Sequence, residues 1–243
     1  MGSHDRVPSA IALVFTGGDP PDSGDREDLH DLAIGAIVIA ADSGLDHAYR
    51  LGHRVDVVVG DFDSVDPAAL SAAERAGATI ERHPPAKDAT DLELALVAAQ
   101  AAGVERVVVV GGAGGRLDHF LANALLLASD DFAALHIEAR LGGARVHVVR
   151  DQIELAGSPG DLVTLLPVGG PAHGVVTDGL RFPLHAETLH PGSTRGVSNE
   201  LTAPRAHVAL SGGVLLAVQP GTGSAATGPD EPHDPTENGK ARP

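Results

Sequence analysis

Four short apolar runs, Ile11 to Phe15, Ala36 to Ala40, Val55 to Val59 and Val107 to Val110, alternate with stretches of helical periodicity at 45–51, 67–76, 91–102 and 117–128. A chain that repeats strand and helix in this way is restricted to βαβ units, which lay the strands side by side and parallel and cover the sheet with helices. Near residue 145 the rhythm changes. Short β-rich runs at 146–149, 162–166, 175–176, 207–210 and 214–218 are separated by Gly, Pro and Asp turns, the pattern of an antiparallel sandwich. The expected fold class is therefore α/β, with a mostly parallel domain over residues 11–144 followed by an antiparallel β-sandwich domain over 145–220. Residues 1–10 and 221–243 lack apolar periodicity and are expected to be disordered.

In a Rossmann-like sheet of this kind, ligands bind outside the carboxyl ends of the strands, and that is where the chemistry-bearing residues fall. The run Val55-Asp56-Val57-Val58-Val59-Gly60 leads into Asp61-Phe62-Asp63-Ser64. If the strand continues through Gly60, the side chains of Asp61 and Asp63 share one face. Two anions so placed call for a shared proton, an arginine or a hard divalent cation. The competing reading, a capped turn, accounts for Asp66 and Pro67, which suit the N-cap and first position of the next helix.

A second acidic cluster, Lys87-Asp88-Ala89-Thr90-Asp91-Leu92-Glu93, opens an apolar helix, with Thr90 and Glu93 at capping-box spacing. Asp91 favours the helix N-terminus, whereas Asp88 lies outside it. The chain has two lysines, Lys87 and Lys240, among 17 basic residues, and a compact point charge suits a phosphate oxygen. Chance placement is the other reading. A third cluster, Gly111-Gly112-Ala113-Gly114-Gly115-Arg116-Leu117-Asp118-His119, joins a strand to a helix. Its glycines let the backbone approach an anion, with helix-terminal N–H groups aimed at it and the Arg116 fork suited to phosphate. Neither the dinucleotide fingerprint nor the P-loop fits its spacing.

In order and spacing these segments, together with Ala41-Asp42-Ser43-Gly44, Asn123 and Gly196-Val197-Ser198-Asn199-Glu200, resemble the thiamine pyrophosphokinase family over about Ile11 to Gln219. That resemblance implies transfer of a diphosphoryl group from ATP to the hydroxyethyl oxygen of thiamine, with Mg²⁺ required and AMP released. It implies that Asp61, Asp63 and Asp91 hold metal and phosphates and, with Arg116, are catalytic. Asp42, Ser43, Gly44, Lys87, Asp88, Gly114, Gly115, Asp118 and His119 complete the expected nucleotide side, and Ser198 and Asn199 line the thiamine pocket. The resemblance further implies a homodimer whose active sites are completed across the subunit interface. Two departures stand out: the family's Asp-Gly-Gly reads Asp42-Ser43-Gly44, and with no Trp, one Tyr and five Phe, Phe182 or an aliphatic surface must cover the thiamine rings. Transfer to another heterocyclic alcohol, phosphohydrolysis, or binding of thiamine or nucleotide without turnover are the alternatives.

Composition narrows the rest. A net charge of −16 opposes nucleic-acid binding, which needs a basic surface, but not binding of ATP through Mg²⁺ and a few local cations. No apolar run reaches the 18 or so residues of a membrane helix, no basic-start signal peptide is visible, and cysteine is absent. A cytoplasmic location is expected.

Overall fold

A computed structural model describes residues 11–20, 26–86 and 88–221; the expectations for residues 1–10, Lys87 and 222–243 lie outside the described residues. The first part of the chain runs β1 (Ile11–Phe15), α1 (Arg26–Ala33), β2 (Ile37–Ala41), α2 (Gly44–Arg50), β3 (Val57–Gly60), α3 (Pro67–Arg75), β4 (Thr79–Arg82), α4 (Asp91–Ala101), β5 (Arg106–Val110), α5 (Leu117–Leu126) and β6 (His136–Leu141). All six strands are parallel, in the order β4-β3-β2-β1-β5-β6. The chain lays strands outward from β1 to β4, then returns to β5 on the other side of β1. The sheet therefore has its topological switch point between β1 and β5, and a ligand site is expected outside the carboxyl ends of these strands.

Alternation along each strand feeds two cores. Ala12 and Val14 face Leu92 and Leu96 of α4 and Leu127 just past α5, whereas Leu13 and Phe15 face Leu29, Leu45 and Ala73 of α1, α2 and α3. Local signals set the helix starts. Asp66 accepts a hydrogen bond from the Ala68 N–H ahead of Pro67, and Thr90 Oγ1 accepts from the Glu93 N–H at 3.2 Å. Three elements of this part have no counterpart in the apolar pattern. The helix α1 reads Arg-Glu-Asp-Leu-His-Asp-Leu-Ala and buries only Leu29, and β4, Thr-Ile-Glu-Arg, is a sheet edge. The strand β6 carries Glu138 and Arg140 on one face. These charges are buried but paired: Glu138 accepts from Arg106 at 3.0 Å and from Arg140 at 3.2 Å, and Arg140 reaches Asp28 of α1 at 2.6 Å. Burial alone would push the Glu138 carboxyl up, but His147, Arg140 and Arg106 together hold it below its usual range.

The second part comprises β7 (Ala144–Val149), β8 (Gln152–Ala156), β9 (Leu162–Pro167), β10 (Ala172–Asp178), β11 (Glu187–Leu189), β12 (Asn199–Glu200), β13 (Arg205–Ala209) and β14 (Leu215–Gln219). The expected antiparallel sandwich is present, and one of its layers is shared with the first part. The strand β7 forms a hairpin with β6, and β14, β9 and β12 follow, extending the parallel sheet into one of ten strands. The second layer, β11-β10-β13-β8, packs on this extension through Leu155, Val175 and Val208 against Val149, Leu165 and Leu215. The sheet thus runs unbroken through residues 144–145.

Candidate active site

The loops that leave β1 and β5 are stapled together across the switch point. Gly112 N–H donates to the Gly17 carbonyl and Asp19 N–H to the Ala113 carbonyl, both at 2.7 Å, while Thr16 N–H bonds Val110 O at 3.0 Å. Beneath them His47 of α2 is buried, and its Nδ1 lies 3.0 Å from the Thr16 carbonyl oxygen, the geometry of an N–H donor. Burial pushes this imidazole below its ordinary value, the Thr16 bond partly opposing, so it is neutral near pH 7. Above the loops opens a cleft of about 750 Å³. Thr16, Gly17, Gly18, Asp42, Ser43, Asp61, Asp63, Asp88, Asp91, Gly114, Gly115, Arg116, His119 and Asn123 are among the residues that line it.

The acidic residues converge, by a route other than strand alternation. The strand β3 ends at Gly60, whose φ of +148° and lack of a side chain let Asp42 and Asp91 crowd in: a Cβ at that position would lie 3.3 Å from both the Asp42 Cβ and Asp91 Oδ1. Phe62 then adopts φ +65°, and Asp61 Oδ1 accepts the Asp63 N–H at 3.2 Å, so a tight turn brings the two carboxylates to one side. The Phe62 ring packs on the core below, with the Arg82 guanidinium 5.0 Å from its centroid. Asp42, just past β2, also has a positive φ, +47°. Such backbones cost about 1–3 kcal/mol each in a non-glycine residue and persist only where the surroundings impose them. Each of Asp42, Asp61 and Asp63 presents an oxygen within 4.8 Å of the others.

Asp42, expected on the nucleotide side, thus stands with Asp61 and Asp63, and Asp91, expected beside them, is near enough to act on the Asp42 carboxyl. Asp42 Oδ1 is buried with no hydrogen-bond partner among the described residues. Burial pushes its carboxyl up; the Ser43 backbone N–H opposes this, and the charges of Asp91, Asp61 and Asp63 add to it. A sequestered, unpartnered carboxylate oxygen facing two more carboxylates fits a hard divalent cation, which takes oxygen ligands. Asp91 stands beside this trio, at the start of α4 and against Gly60. The signal for Asp42 was available in its position: it follows an apolar strand, as Asp61 does.

Around this centre the expected residues divide. Asp88, Gly114, Gly115, Arg116 and His119 line the cleft, whereas Asp118 and Gly44 are not among its walls. Asp118 instead binds Arg116 through Nε at 3.1 Å and Nη2 at 2.6 Å, in an exposed pair that holds its carboxyl down at about 2. Gly44 sits beneath, where any Cβ would collide with the Phe15 carbonyl. The Ser43 hydroxyl covers Gly17, occupying the space of a side chain there. Arg116, at the N-cap of α5, makes no side-chain cap, and the Asp118 carboxylate takes the His119 N–H of the first turn. Asn123 and the Thr16-Gly17-Gly18 loop, to which sequence reasoning gave no role, complete the walls; the paired glycines at the end of the first apolar run were the visible signal.

Ser198 and Asn199 lie elsewhere. A second cavity, of about 350 Å³, is bounded by Phe182, Leu184, Asn199 and the 193–197 loop. Asn199 is buried, and its amide is committed to the main chain: Oδ1 accepts from Phe182 N–H and Glu200 N–H, both at 2.9 Å, and Nδ2 donates to Phe182 O at 2.8 Å. It clamps the segment that presents the half-exposed Phe182 ring. Ser198, at φ +54°, gives its N–H to Thr164 Oγ1 at 3.0 Å and is not part of that cavity's lining.

Fold and site together define an α/β protein with an acidic ligand cleft at its sheet's switch point and an appended antiparallel layer. Models of the thiamin pyrophosphokinase catalytic domain and of the thiamin pyrophosphokinase vitamin B1 binding domain match residues 32–138 and 147–215, together well over half of the chain. The chain belongs to the thiamin pyrophosphokinase family. It is 28% identical over 209 residues to thiamine pyrophosphokinase of Bacillus subtilis, a match covering 82% of this chain and 92% of that one. The crystal structure of thiamine pyrophosphokinase from Bacillus subtilis superposes with a TM-score of 0.72 at 26% identity, covering 86% of this chain and 97% of that chain. Thiamin pyrophosphokinase from Candida albicans shares the fold, with a TM-score of 0.70 at 15% identity over 87% of this chain and 89% of that one.

Proposed function

We propose that this protein is a Mg²⁺-dependent thiamine diphosphokinase, which moves the terminal diphosphoryl group of ATP to the hydroxyethyl oxygen of thiamine and releases AMP. The observation that carries this reading is the trio Asp42, Asp61 and Asp63 facing the two stapled glycine loops across the switch point. The names of its relatives support the same activity. Asp42, Asp61 and Asp63 would hold the metal, with Asp91 alongside; bound there, Mg²⁺ neutralises phosphate charge and relieves the repulsion among the carboxylates. The glycine loop and the start of α5 hold the phosphates, and Arg116 supplies positive charge beside them. Positioning and preorganised charge provide most of the catalysis in such transfers: the hydroxyethyl oxygen bonds to the β-phosphorus as the bridge to the α-phosphate breaks, AMP leaves with the bridging oxygen, and the hydroxyl proton is released to solvent.

In this reading residues 11–144 handle the nucleotide and residues 145–220 the vitamin, with Phe182 supplying the apolar cover that tryptophan would give. The two cavities are far apart within one chain. In the sheet order, β12, which carries Asn199, and β3, which leads to Asp61, are separated by seven intervening strands, roughly 38 Å at about 4.8 Å per interval. One thiamine molecule cannot bridge that span. A two-fold dimer solves the problem by placing the second layer of each subunit over the cleft of the other, forming two sites at once. Leu117, Leu121 and Leu125 of α5 support such packing, forming an exposed apolar stripe beside the cleft with exposures of 69%, 52% and 58%. Among the described residues no helix is long and apolar enough to cross a membrane, and the cytoplasm is the proposed location.

The test is product analysis. Protein incubated with ATP, thiamine and Mg²⁺ should yield AMP and thiamine diphosphate in equal amounts. ADP with thiamine monophosphate, or phosphate release without a thiamine product, would replace this assignment with a different one.

A further inference from the structure

We infer that His47 is a positioning residue for the nucleotide site, an inference that rests on the assignment of the switch-point cleft to ATP. His47 is not itself among the residues that line the cleft, yet it holds Thr16, which is. Its Nδ1–H holds the Thr16 carbonyl at 3.0 Å, from a ring that is only 5% exposed. The chain at Gly111 passes directly against that carbonyl. Gly111 has φ +99°, and a Cβ there would run into Thr16 O and come within 3.3 Å of His47 Nδ1. The imidazole, the Thr16 carbonyl and the bare Gly111 Cα are thus one contact, reached from α2, β1 and β5.

The consequence is directional. With the Thr16 carbonyl turned down to His47, the following Gly17 carbonyl takes the Gly112 N–H, and Asp19 N–H takes the Ala113 carbonyl. These two staples set the separation of the loops that face the phosphates. Without the His47 donor, a buried carbonyl loses its partner and the Thr16-Gly17-Gly18 segment is free to rotate. Thiamine, assigned to the second layer, should not sense the change.

His47→Leu removes the donor at similar volume, and His47→Asn puts an amide N–H near the Nδ1 position. Three measurements on the full chain decide the matter: Mg-ATP affinity by calorimetry, KM for each substrate, and hydrogen exchange at the Gly112 and Asp19 amides. For His47→Leu we expect Mg-ATP to bind about ten-fold more weakly, the thiamine KM to stay within about two-fold, and both amides to exchange faster, with His47→Asn restoring most of the affinity. If His47→Leu does not fold, His47→Gln, which is polar but misplaces its amide, takes its place against His47→Asn. Unchanged Mg-ATP affinity in a folded variant lacking the donor, equal weakening of both substrates, or an Asn variant no better than Leu or Gln would overturn the inference. Failure of the unaltered protein to bind Mg-ATP at all would instead overturn the assignment of the cleft to ATP.

Discussion

Asp61 and Asp63 show how a residue-scale expectation can be met for a different reason. Their spacing of two suggested one face of a strand, but the strand stops at Gly60 and an Asx-type turn through a left-handed Phe62 brings the carboxylates together. Asp42 joins them from the neighbouring strand, a proximity that no spacing within a sequence encodes. Asp42→Asn and Asp63→Asn should each lower kcat by about 100-fold or more while thermal unfolding stays cooperative; near-normal turnover at saturating Mg²⁺ would remove either residue from the centre. His53 makes a second residue-scale prediction. It is 6% exposed, Nε2 has no partner among the described residues, and burial, with His30 and Arg26 adding to it, pushes the imidazole below its ordinary value. The unfolded chain therefore takes up a proton near pH 6.5 that the folded chain refuses, so stability is intact above about pH 6.5 and falls as the pH drops through the folded value. Urea unfolding at pH 7.5 and 5.5 should show this loss, and His53→Leu should make it smaller.

At the scale of elements, the starts of α3 and α4 were legible because capping is local chemistry. Thr90 caps α4 and so fixes Asp91 in the first turn, against Gly60. Thr90→Ala should cost about 1 kcal/mol by denaturant unfolding and weaken Mg-ATP binding as Asp91 loosens; loss of stability with unchanged affinity would confine Thr90 to capping alone. The strand β6 was not legible, since buried Glu138 and Arg140 break its apolar pattern and only their partners on β5 and α1 make that burial tolerable. The helix α5 misleads in the opposite sense. Its sequence is apolar enough for a core, yet none of its residues is buried within the chain. Placing a charge on the stripe, Leu121→Asp, should convert the proposed dimer to monomer in sedimentation and abolish turnover while leaving thermal stability of the chain largely unchanged. A dimer of unaltered strength would clear α5 from the interface.

For the molecule as a whole, the proposed composite site leads to a complementation experiment. Asp63→Ala disables the cleft, and Asn199→Ala releases the Phe182 segment of the second layer. Mixed and allowed to exchange subunits, the two inactive proteins should recover roughly a quarter of full activity, because about half the dimers are mixed and each carries one intact site. Chains that exchange yet stay inactive would show that each site is built within one subunit. By itself the sequence determined the βαβ alternation, the change to antiparallel strands near residue 145 and the carboxyl-edge position of the acidic and glycine-rich segments, because periodicity, capping and glycine placement are short-range properties. Only the tertiary structure decided that one sheet runs through both parts, that Asp42 completes the acidic trio, that Asn199 clamps Phe182 and that His47 supports the Thr16 loop. Each depends on which strands become neighbours, and that is set by burying complementary faces over the whole chain.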